Sequence, residues 1–273
     1  RVTWPAWHSA TARAPPRRGA RPAAGSQWQF GMRFRNREDA ARQLAGRLEH
    51  YRGQRPLVLG VPRGAVPMAR VVADALGGDL DVVLVRKLRA PGQPELAIGA
   101  VDETGAVVKG RYFDIAADDY VREEVRAQRE ILRMRRALYT RSRPPIDPAG
   151  RVVIIVDDGV ATGSSMLAAI AAVRARNPRT IVVAIGAAPP ETLARLRAEA
   201  DEVVCLHSPD QFLAVGEFFE DFSEVSDEMV VSALAHGRGG GGGRGGVLTR
   251  ISRLLPGAPR EIVSARSAPS AAV

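Results

Sequence analysis

Cysteine is nearly absent: Cys205 is the single one in 273 residues. This excludes an intrachain disulfide framework and a cysteine-based zinc cluster, and it fits a reducing, cytoplasmic setting. Its surroundings, DEVVCLHS, form an apolar strand-like run in which the thiol reads as buried and inert. Uninterrupted apolar stretches of the ~18–20 residues needed for a membrane span are also missing, so a soluble protein with no membrane partner is expected. Lysine is scarce, with only Lys87 and Lys109 among 39 basic residues. Alongside abundant Ala, Gly and Pro, that scarcity points to GC-rich codon usage. Acids are missing from the ends: residues 1–31 hold five Arg and no acid, and residues 236–273 hold six Arg and one Glu. The net charge of +9 therefore belongs to the tails, and residues 32–235, with 28 basic and 29 acidic side chains, are close to neutral. A nucleic-acid role argued from net charge loses its basis, and no specific nucleic-acid partner is expected.

What is present centres on RVVIIVDDGVATGSSMLAAI, Arg151 to Ile170. Val152 to Val156 are five consecutive β-branched residues, suited to a strand buried on both faces of a parallel sheet. Asp157 and Asp158 follow at its carboxyl end, where open α/β sheets bind ligands. Gly159, Val160, Ala161, Thr162, Gly163, Ser164 and Ser165 then form a loop of mostly small residues at the start of a helix. Its backbone N–H groups and the helix dipole favour a phosphate, and Thr162, Ser164 and Ser165 add hydroxyl donors. An anion cradle beside two carboxylates makes sense for a sugar phosphate, with the loop on the phosphate and the acids on vicinal hydroxyls. A P-loop needs Gly-x4-Gly-Lys-Ser/Thr and a dinucleotide fingerprint needs Gly-x-Gly-x-x-Gly; neither occurs in this stretch.

VVIIVDDGVATGSSM resembles the phosphoribosyl pyrophosphate (PRPP) motif of the type I phosphoribosyltransferases. The resemblance implies a Rossmann-like α/β fold, a central, mainly parallel sheet flanked by helices with a flexible loop or hairpin over the site. It also implies Mg2+ and transfer of ribose 5-phosphate from PRPP to a nucleobase-like acceptor, a pentosyltransferase reaction, in a chain that could be a homodimer. By the same resemblance Asp157 and Asp158 hold the ribose hydroxyls, Gly159 to Ser165 hold the 5-phosphate, and Mg2+ is carried by PRPP with the two acids within reach through water. Ala161 departs from the hypoxanthine-guanine type, which has Asp there as the base near the purine. The departure points away from 6-oxopurine acceptors.

Elsewhere, Asn36 caps an amphipathic helix NREDAARQLAGRLEHY. A strand from Leu57 to Val61 leads into a tight turn and a helix from about Val66 to Leu76. Pro62, Arg63, Gly64 and Ala65 in that turn resemble the family's pyrophosphate loop, with Gly64 permitting unusual backbone angles and close approach. A strand from Leu80 to Val85 is expected to end in Arg86 and Lys87, two cations poised for departing pyrophosphate. Leu88 to Ala97, rich in Pro and Gly and carrying Glu95, resembles the flexible catalytic loop, with Glu95 set to contact the nucleophile. A hairpin about Glu103-Thr104-Gly105 follows. Asp118 to Arg141 reads as a long helix whose charges are mostly solvated and paired, with an apolar stripe of Val121, Val125, Ile131, Leu132 and Leu138. Two more strands and an intervening helix complete a βαβαβ alternation that predicts a parallel sheet. His207 ends the last strand and reads as a surface residue. FLAVGEFFEDF has two readings, a substrate-stacking wall and, favoured, packing of the C-terminal segment on the core.

Residues 1–31 read as a disordered Arg/Ala/Pro-rich extension, 32–236 as the phosphoribosyltransferase domain, and 237–273 as a Gly/Arg-rich disordered tail. The expected function is PRPP-dependent phosphoribosyl transfer. The alternative is a non-catalytic sensor of PRPP or a nucleotide that keeps the phosphate loop without turnover.

Overall fold

The computed structural model describes residues 33–141 and 144–235, apart from the side chains of Pro94 and Glu95. The two expected tails lie outside the described residues. Five strands, β1 (Leu57–Gly60), β2 (Asp79–Val82), β6 (Val152–Gly159), β7 (Thr180–Ala187) and β8 (Glu202–His207), form a parallel sheet in the order β2-β1-β6-β7-β8. β6 is central, so its unbroken Val and Ile run is covered on both sides.

The period-2 alternation of the strands sorts their side chains between two layers. Val58, Ile154, Val156, Val182 and Ala184 pack with α1 (Arg37–Arg47) and α2 (Val66–Leu76). Leu57, Leu59, Val153, Ile155, Ile181, Val183 and Ile185 pack with α4 (Ser164–Arg174) and α5 (Pro190–Glu199). Helix starts follow the expected chemistry. The Asn36 side chain accepts from the Asp39 N–H at 3.0 Å to cap α1, and proline stands in the first turns of α2 and α5.

A second, antiparallel sheet runs β3 (Val85–Ala90), β4 (Gln93–Asp102), β5 (Val107–Lys109). It bears out the hairpin about Glu103-Thr104-Gly105 and corrects two other expectations. The strand expected to span Leu80–Val85 ends at Val82, so Arg86 and Lys87 do not close a parallel strand; they lie within β3. Val83 and Leu84 are buried between the two strands, and an apolar run without a break cannot reveal where one strand stops. The loop expected over Leu88–Ala97 is a hairpin turning at Pro91-Gly92, where Gly92 has φ 67°. Its pairing shifts register on both sides of Arg89, opposite the Pro94 stretch, where a bulge accommodates a residue with no N–H to give. Proline and glycine mark turns and bulges as readily as mobile loops.

Helix α3 (Asp118–Thr140) carries the expected exposed pairs Arg122–Asp119, Arg126–Glu123 and Arg133–Glu130. Its buried face, however, comprises Val121, Gln128, Leu132, Arg136 and Tyr139. Leu138, expected in the stripe, is 50% exposed. Arg136 is buried, donating to Asp81 of β2 at 2.6 Å and bidentately to Glu103 at the β4–β5 turn. A purely apolar search misses this face because two of its positions are polar. The short helix α6 (Asp227–Ala235) packs with α2 and α3.

Candidate active site at the carboxyl edge of the parallel sheet

β6 delivers Asp157 and Asp158 to the carboxyl edge of the sheet and continues through the loop into α4. Asp157 Oδ1 accepts from the Asp158 N–H at 2.9 Å. Burial first, and then the charge of Asp158, raise the Asp157 carboxyl well above the usual carboxylate range, while the Arg37 charge opposes the rise.

Gly163 caps α4 in the left-handed region, φ 76°, where a side chain would be strained. No side chain caps the helix, so its first-turn N–H groups have no intrahelical acceptor and can meet an anion. Thr162 and Ser164 bring their hydroxyls within 3.3 Å of each other at that mouth. The loop is braced from α5: Thr192 Oγ1 donates to the Ala161 carbonyl at 2.6 Å and Arg195 to the Thr162 carbonyl at 3.0 Å.

The turn after β1 approaches the same edge. Gly64 lies so close that a Cβ there would collide with Asp158 Oδ2 and stand 3.3 Å from the Arg37 guanidinium. Close approach, rather than unusual backbone angles, is what the glycine supplies. Ala65 is fully buried in the core, the Pro62–Arg63 peptide is cis, and Arg63 is ion-paired with Glu224. We expect Gly64→Ala to lower unfolding free energy by about 1–3 kcal/mol, the usual cost of overpacking, because the Arg37–Asp158 pair must shift. Urea denaturation measures it, and an unchanged midpoint would count against the contact.

The two expected cations separate. Consecutive residues of a strand face opposite sides. Lys87 is exposed and lines one hollow with Gly99, Gly110, Ser164 and Ala168, which brings it to the mouth of α4. Arg86 turns the other way and donates to Gln128 of α3, and burial pulls its guanidinium pKa down. Thus the fold assembles Gly64, Lys87, Asp157, Asp158 and the loop to Ser165, and leaves Arg86 outside. Glu95 has its backbone in β4; its side chain lies outside the described residues.

Sequence reasoning missed Arg37, Thr192, Arg195 and Glu224. Arg37 Nε donates to Asp158 Oδ2 at 2.8 Å across 121 residues, its Nη1 to the Ser223 carbonyl at 2.6 Å, and its Cζ stands 3.8 Å from the Phe222 ring centroid. The available signal was a misfit: a cation in the first turn of a helix opposes the dipole. The aromatic segment does pack on the core, since Phe219 is buried with its ring 5.2 Å from Phe34 and Glu220 N–H donates to the Phe34 carbonyl. His207 also turns inward, its ring 4.8 Å from Phe34, and so departs from the surface expectation. Cys205 is partly buried, and burial pushes its thiol up to about 11, which keeps it unreactive at neutral pH.

The phosphoribosyl transferase domain model matches residues 34–222. The chain belongs to the phosphoribosyltransferase family. Its match to a Mycobacterium tuberculosis protein, itself named only provisionally as a phosphoribosyl transferase, is 44% identical over 207 residues. That match covers 74% of this chain and 46% of the relative, so this phosphoribosyltransferase-family chain spans about half of the relative's length. The crystal structure of TT1426 from Thermus thermophilus superposes with TM-score 0.70 at 49% identity, covering 76% of this chain and all (100%) of that one. Among the described residues no helix is long and apolar enough to cross a membrane, and no group of three or more His, Cys, Asp or Glu is gathered to hold a metal.

Proposed function

We propose that this chain uses PRPP with Mg2+ to transfer ribose 5-phosphate to a nucleobase or related nitrogen acceptor. The new bond joins the acceptor nitrogen to C1 of the ribose; the bond from C1 to pyrophosphate breaks, and its electron pair leaves with the pyrophosphate. The observation that carries this reading is the continuity of β6, the carboxylate pair and the uncapped amino end of α4.

In this reading Asp157 and Asp158 accept from the ribose hydroxyls, orienting C1. Gly159 to Ser165 take the 5-phosphate through backbone N–H groups and the hydroxyls of Thr162, Ser164 and Ser165. Pro62, Arg63 and Gly64 face the pyrophosphate with Lys87, whose positive charge gains most as the leaving group's negative charge develops; Ala65, buried with its N–H given to the Val61 carbonyl, anchors the turn instead of touching the ligand. Arg86 is set aside as a catalytic group, since its side chain is engaged with Gln128. Glu95 stays a candidate contact to the nucleophile, on the hairpin that would cover the site. Mg2+ fits the donor set, because this ion takes one or two carboxylates together with phosphate oxygens and water, and bound there it would neutralise pyrophosphate charge. Ala161, exposed in the loop, places no acid near the acceptor and favours acceptors other than 6-oxopurines.

The test is calorimetric titration of the full chain with PRPP and Mg2+, followed by a pyrophosphate-release screen over purines, pyrimidines and related amines. Binding with acceptor-dependent release is expected. Binding without release from any acceptor would favour a PRPP sensor, and absence of binding would remove both readings.

A further inference from the structure

The loop that follows the carboxylate pair is gripped from behind by α5. Thr192 is 2% exposed, and its Oγ1 donates to the Ala161 carbonyl at 2.6 Å. Its methyl group faces Gly163, where a Cβ would stand 3.2 Å from Thr192 Cγ2. Arg195, three residues further along α5 and on the same side of the helix, donates through Nη1 to the Thr162 carbonyl at 3.0 Å. The Gly163 carbonyl accepts from the Leu167 N–H at 2.8 Å as α4 begins. Three consecutive carbonyls of the loop are therefore occupied, two of them by α5.

These peptides are trans, and a trans peptide holds its C=O and N–H antiparallel, so fixing one aims the other. The Ala161 carbonyl shares its plane with the Thr162 N–H, and the Thr162 carbonyl shares its plane with the Gly163 N–H. With both carbonyls drawn to α5, both N–H groups point away from it. Neither has a backbone acceptor among the described residues. A flip of either peptide would turn a carbonyl oxygen where a donor is needed and repel an anion.

We propose that Thr192 and Arg195 are positioning residues of the 5-phosphate seat: from α5 they hold two loop peptides so that the Thr162 and Gly163 N–H groups aim at the phosphate. This rests on the assignment of Gly159 to Ser165 to the 5-phosphate of PRPP. Both side chains act through the backbone of the loop. Threonine suits its place because the hydroxyl takes the Ala161 carbonyl while the methyl packs beside Gly163, whose φ of 76° must be kept. Serine supplies only the first contact and valine only the second. Arg195 adds charge, since a cation on the Thr162 carbonyl polarises that peptide and strengthens the Gly163 N–H as a donor. A loop without this grip has to be ordered by the ligand, at the expense of affinity.

The experiment compares the full wild-type chain with Thr192→Val, Thr192→Ser and Arg195→Met. Calorimetry measures affinity for ribose 5-phosphate and, separately, for Mg2+-pyrophosphate. Heteronuclear NMR follows the Thr162 and Gly163 amide protons as ribose 5-phosphate is added. Thr192→Val should weaken ribose 5-phosphate binding roughly three- to tenfold, the usual contribution of a hydrogen bond that is lost. Arg195→Met should weaken it by about twofold, because solvent screens an exposed cation. Thr192→Ser should restore most of the loss, and pyrophosphate affinity should stay as in wild type throughout. Both amide protons should move downfield with ligand in wild type and by less in Thr192→Val. A purely structural role would lower the urea midpoint and leave the affinities and amide shifts of the folded variants unchanged, which would overturn the proposal. Equal weakening of both ligands would overturn it too. If Thr192→Val does not fold, Arg195→Met, altered at an exposed side chain, decides by the same readouts. Failure of wild type to bind ribose 5-phosphate would remove the phosphate assignment and this proposal together, whereas binding that the variants leave unchanged removes the proposal alone.

Discussion

Asp157→Ala combined with Asp158→Ala is expected to abolish measurable PRPP binding and leave the fold intact. Hydrogen bonds to ionised groups contribute about 1.5–3 kcal/mol each. Losing one from each acid therefore weakens Kd by roughly 10²- to 10⁴-fold. The fold should survive, at a cost because Arg37 loses its buried Asp158 partner, since the register of β6 with β1 and β7 is set by the backbone and by Val152 to Val156. Ala161→Asp is the control. It adds an acid to the same loop without removing either hydroxyl acceptor, and PRPP affinity should stay largely intact. Calorimetry on the three proteins measures this, and a double variant that binds PRPP normally would sink the ribose assignment.

The pH dependence separates binding from stability. The Asp157 carboxyl is raised in the folded chain, by burial and then by Asp158. A carboxyl raised by folding supports the fold fully below its unfolded value, about 3.9, and that support is lost as pH climbs through the folded value. The difference in stability between wild type and the double alanine variant should therefore move against wild type across this window. On the proposed reading PRPP binding needs the ionised pair and should strengthen across the same window. Opposite trends in one pH range are what a site held at the expense of stability produces.

Arg136→Met is expected to destabilise the chain by about 3–5 kcal/mol, the usual result of removing one partner from a buried ion pair. Total stabilities run to about 5–15 kcal/mol, so this is a large fraction. Asp81 is 1% exposed and the Glu103 side chain 13%, and both would stay in place without their shared cation. Burial raises the Glu103 carboxyl and Arg136 opposes that rise, so in the variant Glu103 should take a proton at higher pH. The deficit should consequently be smaller in acid and grow as pH rises through the Glu103 value. Urea denaturation across pH measures both effects. A loss below about 1 kcal/mol, the range of an exposed bridge, would show that the network does not clamp the two sheets together. The clamp also bears on the site: Arg136 ties β2 of the parallel sheet to the β4–β5 turn, and Lys87 reaches the mouth of α4 from that second sheet.

The legible part of this protein was local. Val152 to Ser165 states strand, acids, loop and helix in one contiguous stretch, and each piece is dictated by its own residues: β-branched side chains, two carboxylates, small residues, an uncapped helix start. The parallel sheet followed from alternating periods, and Asn36 and the Glu103-Thr104-Gly105 turn marked their own elements. Lys87 was singled out for its scarcity, yet it reaches the site from within β3 rather than from a strand end. The run from Val82 to Val85 is apolar enough to hide a change of sheet, and Pro and Gly between Ala90 and Pro94 read equally as loop or hairpin. Arg37 and Arg136 were indistinguishable from the many other arginines until the fold placed them.

By itself the sequence determined the order of the parallel strands and the helices between them, the flanking of that sheet by helices, and the pairing of an acidic edge with an anion loop, because hydrogen bonding and periodicity within a segment depend on neighbours in the chain. Tertiary structure alone decided which cation faces the acids, which of Arg86 and Lys87 turns to the site, and why residue 64 has no side chain. Those outcomes depend on partners up to 121 residues apart, and charge pairing at a distance leaves no periodic trace in the chain.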